Sequence, residues 1–416
     1  MSSRPATLAV QSQPRPAALD GETALILAAR DKNLLKKWIE DGANINARTK
    51  GGETALILAA RHNNMDCLTV LLKEKRPRAD INAQDTHGVT ALMYAARNGH
   101  TDCCNALLSK RANVNLQSKD GVTALMLAAQ NGHTASVNAL LSKPGIDINA
   151  TAKKRMTALM LAAQNGHTDC VQLLLAKGAT IEATNGFLRW TALMLAAYAG
   201  HTDCVQTLLA RGANIEAKDN NGWTALIVAA YTGHTDCLEL LLAKGANMEA
   251  TSTDGFTALM VAAQNGHTDC VQLLLAKPGI HINAKSQNGF TALMLAAENG
   301  HMRCSKALLE QGADVLGYTQ ESLRNGSSTK SARKEAFKHY SQQLKAPRLL
   351  LKALNKKSYC AHCNKFMDPK KRCTKCKRID YCSTACQTLD WPRHKEECKK
   401  WRAEARSRPQ GREEQT

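Results

Sequence analysis

The sequence predicts a mostly α-helical solenoid of nine two-helix repeats, followed by a small module that folds around metal ions. Two observations predict the solenoid. The tripeptide "TAL" occurs nine times, at intervals of 31 to 36 residues, and each copy opens a run of apolar residues and alanines, as in proteins built from stacked repeats. A third observation predicts the metal module: seven cysteines and a histidine lie at metal-ligand spacing within residues 360–398.

The repeat that begins at Thr157 illustrates the predicted unit. Thr157 is expected to cap the first helix with its hydroxyl group, and Gly166 to end that helix. Thr168 and Asp169 suit the start of the second helix, by capping and by the helix dipole. Gly178 is placed to end this helix in the left-handed conformation, before a β-turn finger that leads into the next repeat. One unit cannot bury its leucines alone, so neighbouring units must share a core.

The pentapeptide "GHTDC" occurs five times and contains three metal-ligand residue types. His167 and Asp169 have the spacing found in iron enzymes that use two histidines and a carboxylate. No other histidine has a unique placement that would complete such a site, so we interpret the repeated motif as a device that orders the loop. The cysteines at this position and its equivalents are expected to be small buried apolar residues. They are Cys103, Cys170, Cys204, Cys237, Cys270 and Cys304.

These repeats resemble the ankyrin repeat over roughly residues 20–317. The family pattern TPLHxA appears as "TALMLA" at 157–162, with alanine and methionine in place of the proline and histidine. The "GH" after the first helix and the "LLLxxGA" after the second also match. The resemblance implies an α-solenoid of nine helix-turn-helix units with β-turn fingers, and a concave groove that binds protein partners.

Aromatic residues of the solenoid are concentrated at two positions of the repeat. The position before "TAL" holds Trp190, Trp223, Phe256 and Phe290, and the position after the "AA" pair holds Tyr198 and Tyr231. In the first two repeats these positions hold Glu22, Glu53, Arg30 and Arg61. By the ankyrin resemblance both positions line the groove, and aromatic side chains are common interface anchors. The six aromatics are therefore candidate partner-binding residues; the alternative is that they shield the backbones of the β-turn fingers.

The C-terminal ligand series contains eight residues in four pairs. They are Cys360, Cys363, Cys373, Cys376, Cys382, Cys386, His394 and Cys398. Zinc binds cysteine and histidine tetrahedrally, so eight ligands make two closed sites, which have structural rather than catalytic roles. A disulfide framework is disfavoured by the intracellular location that the rest of the chain predicts.

The same stretch resembles the MYND-type zinc finger over residues 360–398, through "YC" at 381–382, "CQ" at 386–387, "DW" at 390–391 and the final H-x3-C. The resemblance implies interleaved zinc sites, a pairing that spacing alone does not show. One site would use Cys360, Cys363, Cys382 and Cys386, and the other Cys373, Cys376, His394 and Cys398; His362 is an alternative to Cys363. The resemblance also implies that Gln387 and Trp391 bind short proline-rich peptides, although Trp391 is also suited to the small core of the module.

The formal net charge of +19 is unevenly distributed. Residues 318–416 contain 25 Lys and Arg against 10 Asp and Glu, a net +15, which falls to about +12 if seven thiolates bind two zinc ions. Such an excess favours nucleic acid or an acidic partner. The run "PKKRCTKCKR" is similar to a nuclear localisation signal, but its cysteines are predicted zinc ligands.

The sequence favours a cytoplasmic or nuclear protein that is not an enzyme. It has no apolar signal-peptide core and no apolar run long enough to span a membrane, and buried free cysteines favour a reducing compartment. Neither a phosphate-binding G-x-x-x-x-G-K loop nor a G-x-S-x-G motif is present. MYND fingers also occur in lysine methyltransferases of the SET class, but this chain has no SET-like segment.

Five segments are predicted. They are a disordered N-terminus (1–18), the ankyrin solenoid (19–317), a basic and partly helical linker (318–358), the zinc finger (360–398) and a disordered basic tail (399–416). We interpret the chain as a monomeric, non-enzymatic adaptor or scaffold whose groove binds one protein and whose zinc finger binds another. The alternative is a nucleic-acid-associated transcriptional regulator that uses the basic C-terminal region.

Overall fold

The computed structural model describes residues 31–40, 42–73 and 78–314. These residues form 17 α-helices and one 3-10 turn; within them the extended pairing is limited to an isolated antiparallel bridge between Gln84 and Thr90. The mostly α-helical fold class is therefore confirmed. The predicted N-terminal segment, linker, zinc finger and tail lie outside the described residues.

We number the repeats 1 to 9 from the "TAL" at Thr23 onward. Repeats 2 to 9 each supply two helices, and the described part of repeat 1 supplies its second helix. The first helices of repeats 2 to 9 are α2 (Ala55–Arg61), α4 (Ala91–Arg97), α6 (Ala124–Gln130), α8 (Ala158–Gln164), α10 (Ala192–Ala199), α12 (Ala225–Thr232), α14 (Ala258–Asn265) and α16 (Ala292–Glu298). The second helices of repeats 1 to 9 are α1 (Lys32–Glu40), α3 (Met65–Lys73), α5 (Thr101–Ser109), α7 (Thr134–Leu141), α9 (Thr168–Ala176), α11 (Thr202–Ala210), α13 (Thr235–Ala243), α15 (Thr268–Leu275) and α17 (Met302–Glu310).

The chain divides into two compact units. One contains residues up to 229 together with 236–246, and the other contains 230–235 together with residues from 247 onward. The boundary falls inside repeat 7. In the described residues no helix has the length and apolar character that a membrane span requires.

In repeats 2 to 9 the threonine of "TAL" caps the first helix, as predicted. Thr157 has an extended backbone (φ −104°, ψ 166°), and its Oγ1 accepts a hydrogen bond from Met160 N at 3.3 Å. The equivalent bonds in repeats 2 to 9 measure between 3.2 and 3.5 Å. Loss of such a cap costs about 1 kcal/mol, so the threonine fixes where each repeat begins.

Small residues allow the helices to pack closely. Ala162 and Ala163 of α8 have no exposed surface, and α8 packs against α6, α10 and its own partner helix α9. From α9, Val171 and Leu174 complete the shared core and are also fully buried. The predicted continuous core is therefore built from the alanine face of the first helices and the branched residues of the second.

Glycines end both helices of the repeat. Gly166 follows α8 with φ +78°, and Gly178 follows α9 with φ +91°, as predicted for left-handed helix ends. The two glycines differ in their surroundings. A Cβ atom on Gly166 would lie 2.6 Å from Nδ1 of His201 in the next repeat, whereas a Cβ on Gly178 would meet open space.

The β-turn fingers are held by side-chain acceptors and by bonds between neighbours. Asp85 Oδ1 accepts from the backbone N–H groups of His87 and Val89, both at 2.8 Å. Lys119 N of the next β-turn finger donates to the carbonyl oxygen of His87 at 2.9 Å. Polar bonds thus link consecutive repeats at their turns, in addition to the apolar contacts of their helices.

Candidate functional site

The "HTDC" motif links three consecutive repeats. His167 Nε2 donates to the carbonyl oxygen of Gln130 in the preceding repeat at 3.0 Å. Thr168 Oγ1 lies 3.3 Å from Cys204 Sγ in the following repeat. The motif therefore orders the stacking of the repeats, in agreement with its interpretation as a structural device.

The same links recur within each compact unit. Histidine-to-carbonyl bonds join His100 to Ala60, His133 to Arg97, His201 to Gln164 and His267 to Tyr231, at 2.9 to 3.2 Å. Threonine–cysteine contacts join Thr134 to Cys170, Thr202 to Cys237, Thr235 to Cys270 and Thr268 to Cys304, at 3.4 to 3.7 Å.

The prediction that Thr168 caps the second helix is wrong. His167 occupies the N-cap position and makes no capping bond with its side chain. Thr168 is the first helical residue, and its hydroxyl group is directed to the next repeat instead. Asp169 does lie in the first turn, where its negative charge interacts favourably with the helix dipole.

The solenoid cysteines are buried free thiols, as predicted. Cys103, Cys170 and Cys204 have no exposed surface. Burial raises the pKa of Cys103 to about 11 and that of the neighbouring Cys104 to about 12. Because the thiolate is the reactive and metal-binding form, these residues stay inert near neutral pH. Across the described ranges, histidine, cysteine and acidic residues do not form a cluster of three or more able to hold a metal ion.

In the first compact unit, Trp190 and Tyr198 form an aromatic pair. Their ring centroids are 5.2 Å apart and their planes are inclined by 56°. Trp190 is half-buried, and its Nε1–H donates to Asp219 Oδ2 at 2.9 Å. Asp219 also accepts the backbone N–H of Trp223 at 2.8 Å. Trp190 thus helps to hold the next β-turn finger, whereas Tyr198, with 42% of its surface exposed, is accessible to a partner.

In the second compact unit, the aromatic residues have similar local settings. Tyr231 is 44% exposed. Phe256 and Phe290 are half-buried, and their backbone N–H groups donate to Ser252 Oγ at 3.0 Å and Ser286 Oγ at 3.1 Å. The β-turn finger therefore fixes each phenylalanine backbone. The structure places these residues at repeat-equivalent positions, and their role in partner binding remains a prediction.

In repeat 2 the position before "TAL" and the position after the "AA" pair are both charged, with Glu53 at the first and Arg61 at the second. Arg61 Nη1 pairs with Glu53 Oε1 at 2.6 Å, and the Arg61 guanidinium lies 5.4 Å from the centroid of the Tyr94 ring. The Tyr94 hydroxyl donates to Asp85 Oδ2 at 2.9 Å. Burial and this bond raise the pKa of Tyr94 to about 12. Tyr94 is at neither of the two positions and was not predicted to contact them. Glu22 and Arg30 lie outside the described residues.

Two neighbouring β-turn fingers depart from the pattern of the others. The residue two positions before the capping threonine has positive φ in every described repeat from 2 to 9. It is glycine in six of them: Gly52, Gly88, Gly121, Gly222, Gly255 and Gly289. In repeats 5 and 6 it is Arg155 (φ 55°) and Arg189 (φ 60°). A left-handed residue with a side chain costs about 1–2 kcal/mol, so these arginines lower the stability of their turns.

β-turn fingers 5 and 6, which lead into repeats 5 and 6, also differ in other ways. Ala152 stands where other β-turn fingers have a side-chain acceptor such as Asp85, and the next residues form the 3-10 turn Lys153–Arg155. β-turn finger 6 carries Phe187, which is 74% exposed. These residues were not predicted to be functional, although the missing glycines are visible in the sequence as a break in the repeat pattern.

The predicted zinc and peptide-binding residues lie outside the described residues. The zinc ligands are Cys360, Cys363, Cys373, Cys376, Cys382, Cys386, His394 and Cys398, and the peptide-binding residues are Gln387 and Trp391. A donor set of seven thiolates and one imidazole has the chemistry of a closed zinc centre.

Comparisons with protein families identify both modules. The family model for ankyrin repeats (3 copies) matches residues 7–85, 75–152, 113–185, 159–252, 214–286 and 247–319. The model for the MYND finger matches residues 360–398. Among solved structures, the human ASB11 ankyrin repeat domain is 29% identical, with a TM-score of 0.50; the match covers 54% of this chain and 99% of that domain.

Curated relatives match over short segments. SET domain-containing protein 14 of Caenorhabditis elegans is 50% identical over 42 residues, and SET domain and MYND-type zinc finger protein 6 of Schizosaccharomyces pombe is 45% identical over 51 residues. Tudor domain-containing protein 1 of Danio rerio is 48% identical over 42 residues. These matches cover 10 to 12% of this chain and only 10%, 11% and 3% of the three relatives. The chain belongs to the ankyrin-repeat family and carries a C-terminal MYND-type zinc finger, so that it combines two kinds of protein-interaction domain.

Proposed function

We propose that this protein is a non-enzymatic adaptor whose ankyrin repeats bind one protein and whose MYND finger binds a proline-rich segment of another. The observation that carries the proposal is the presence of two interaction modules in one chain. The repeated histidines and cysteines are the solenoid side chains best suited to catalysis or metal binding. They are already engaged in joining repeats. An adaptor binds its partners through exposed side chains, and the structural role of the histidines and cysteines is compatible with that function.

Each unit has its own set of proposed partner-binding residues. In the first unit they are Trp190, Tyr198 and Trp223, and in the second they are Tyr231, Phe256 and Phe290. Several features support this assignment. Tyr198 and Tyr231 each expose more than 40% of their surface although they lie in the last turns of helices. Aromatic side chains have two rotatable bonds and bury a large area, so they bind at a low entropic cost. The bond from Trp190 to Asp219 would hold one member of the first unit's set in place before binding.

For the zinc finger we propose two structural zinc ions. The eight ligands suffice for two tetrahedral sites, and 39 residues with few large apolar side chains provide little core of their own. Zinc binding to such modules contributes about 10–16 kcal/mol at neutral pH, so that the metal supplies the folding energy. We adopt the interleaved pairing implied by the MYND resemblance.

Peptide binding by the zinc-loaded full-length chain tests the proposal. A fluorescent peptide rich in proline and leucine is titrated against wild type, Trp391→Ala and Gln387→Ala, and fluorescence anisotropy is measured. We expect saturable binding by wild type and a loss of at least about tenfold, or 1.4 kcal/mol, in Trp391→Ala. The zinc content of each variant must equal that of wild type. Equal affinity of wild type and both variants at full zinc occupancy would refute the peptide-binding role.

The charge of the C-terminal quarter supports a second candidate function, that of a nucleic-acid-associated transcriptional regulator. Residues 318–416 carry a net formal charge of +15, and neutralisation of phosphates by lysine and arginine makes affinity fall steeply with salt. The same titration with duplex DNA at several salt concentrations separates the two functions. A DNA affinity with a steep salt dependence that exceeds the peptide affinity at physiological salt would favour the regulator.

A further inference from the structure

β-turn fingers 5 and 6 differ from the others by the same substitution. At a position where the backbone is left-handed and six described repeats have glycine, these two carry arginine. Lys154, next to Arg155, is also left-handed (φ 60°, ψ 22°). Three non-glycine residues in this conformation, all basic and all on adjoining fingers, form a local concentration of backbone strain. Strained residues of this kind cluster at functional sites, so they point to a hypothesis of function.

The two β-turn fingers are in direct contact and fit each other. Gly186 N of finger 6 donates to the carbonyl oxygen of Lys154 in finger 5 at 2.6 Å. A Cβ atom on Gly186 would lie 3.2 Å from Arg155 Cγ and 3.3 Å from the Lys154 carbonyl oxygen. Finger 6 therefore has a glycine where the Arg155 side chain passes, which makes room for the arginine at the point of closest approach.

Within the described part of the chain, the arginines gain no ionic partner that would offset this strain. Neither the Arg155 nor the Arg189 guanidinium forms an ion pair with a residue in the described ranges. The adjacent Lys153 does pair with Asp120 at 2.5 Å, but both side chains are mostly exposed, so the pair contributes little. Two adjoining β-turn fingers thus carry four basic side chains, those of Lys153, Lys154, Arg155 and Arg189.

We propose that Lys154, Arg155, Phe187 and Arg189, here called the basic patch, form a docking site for an acidic protein segment that carries a large apolar side chain. Arginine binds carboxylates through paired, charge-assisted hydrogen bonds. Phe187, with 74% of its surface exposed, offers an apolar contact on the same finger as Arg189. The inference rests on the proposed adaptor function, because it names the chemistry of a partner of the ankyrin repeats.

The charge of the basic patch favours an acidic protein segment over two other ligands, the C-terminal region of this chain and single-stranded nucleic acid. The C-terminal quarter of the chain is itself basic, with a net +15, so it would be repelled from the patch. Single-stranded nucleic acid requires a longer track of cations with interleaved stacking residues. In the neighbouring fingers each lysine is followed by a carboxylate, Asp120 after Lys119 and Asp219 after Lys218, so the excess of cations does not continue along the repeats.

Binding of a defined acidic peptide to the zinc-loaded full-length chain tests the proposal. The probe is a fluorescein-labelled 12-residue peptide of six glutamates and six apolar residues, including two central leucines. A peptide with glutamine in place of glutamate and a 12-nucleotide oligothymidine serve as comparison probes. The test variant is Arg155→Gly/Arg189→Gly, which restores the residue that six other repeats have. The matched control is Lys177→Gln/Arg211→Gln, which removes the same charge from the ends of α9 and α11 in the same two repeats.

We expect the glutamate peptide to bind at least tenfold more tightly than the glutamine peptide. The Arg155→Gly/Arg189→Gly variant should lose at least tenfold in affinity, Phe187→Ala several-fold, and the control less than twofold. Relief of the left-handed strain should raise the Tm of the double glycine variant by about 2–5 °C, so lost binding cannot be attributed to unfolding.

Three results would overturn the proposal. They are equal affinity of wild type and the double glycine variant, tighter binding of oligothymidine than of the glutamate peptide, and a Tm of the double glycine variant below that of wild type. Binding of the proline-rich peptide by the MYND finger is measured on the same preparations. A failure confined to the acidic peptide therefore refutes the basic patch without refuting the adaptor function.

Discussion

Replacement of Gly166 by alanine tests how the repeats are joined, because two costs fall on this position. The first is its left-handed backbone, φ +78°, which costs an alanine about 1–2 kcal/mol. The second is the approach of the next repeat: the new Cβ would lie 2.6 Å from His201 Nδ1 and 2.7 Å from its Cε1. The ring must then move, and its 3.2 Å bond to the Gln164 carbonyl oxygen is weakened or lost.

The structure provides a matched control that separates these costs. Gly178 is also left-handed, with φ +91°, but a Cβ there would meet no atom within 4 Å. Gly178→Ala should therefore destabilise by the backbone term alone, about 1–2 kcal/mol. Gly166→Ala should add the lost hydrogen bond, about 1 kcal/mol, and the displacement of the ring, about 1 kcal/mol. We expect a total of about 3–4 kcal/mol for Gly166→Ala and a difference of about 2 kcal/mol between the two variants.

Urea unfolding of the full-length chain, followed by circular dichroism at 222 nm, measures this difference. The slope of the transition must be the same in both variants, because repeat arrays can lose cooperativity. Amide hydrogen exchange around His201 provides a local measure of the same effect. Equal destabilisation by the two substitutions would refute the idea that glycine is needed to seat the histidine of the next repeat.

Three further predictions concern the solenoid thiols, Tyr94 and the zinc finger. The solenoid thiols, such as Cys103 and Cys104, should resist iodoacetamide at pH 8 in the native protein and react in urea, because burial raises their pKa; peptide mapping by mass spectrometry checks this, and rapid native alkylation would contradict it. Tyr94, with its pKa raised to about 12, keeps its proton in the folded state while the unfolded state loses it near pH 10, so stability should fall between pH 10 and 12. Tyr94→Phe should reduce this fall in thermal unfolding curves, and an unchanged pH dependence would count against the assignment. Removal of zinc by a chelator should abolish binding of the proline-rich peptide. The circular dichroism signal at 222 nm should fall by less than about 15%, because the ankyrin repeats need no metal to fold. A collapse of this helical signal would contradict the prediction.

Local features of the fold could be predicted because they depend on residues close together in sequence. Thr157 caps its helix through a backbone group three residues away, and Gly178 ends the next through its own φ angle. Both follow from steric and hydrogen-bonding preferences that act within one turn. The period of about 33 residues then determines that the units stack, since none can bury its apolar face alone.

Contacts between repeats were less accessible to prediction. Thr168 was predicted to cap its own helix, but its hydroxyl lies beside Cys204, 36 residues away. The alternative partner appears only when the stacking distance and rotation between repeats are known. The same applies to Trp190, whose bond to Asp219 spans 29 residues. Position in the repeat identified Trp190 as an unusual residue, but the partner that orients its ring could not be inferred from the sequence.

Engagement of the repeat motif in stacking also indicates where function is to be sought. His167 and Thr168 each make a bond to a different neighbouring repeat. A substitution at either position should therefore lower the stability of the solenoid. Positions free to acquire a binding role are those whose side chains make no such link, and the β-turn fingers supply them. Arg155 and Arg189 lie there, in a conformation that glycine would adopt at lower cost. A residue that weakens the fold, fits its neighbour and has no ionic partner among the described residues is better explained by a ligand than by stability.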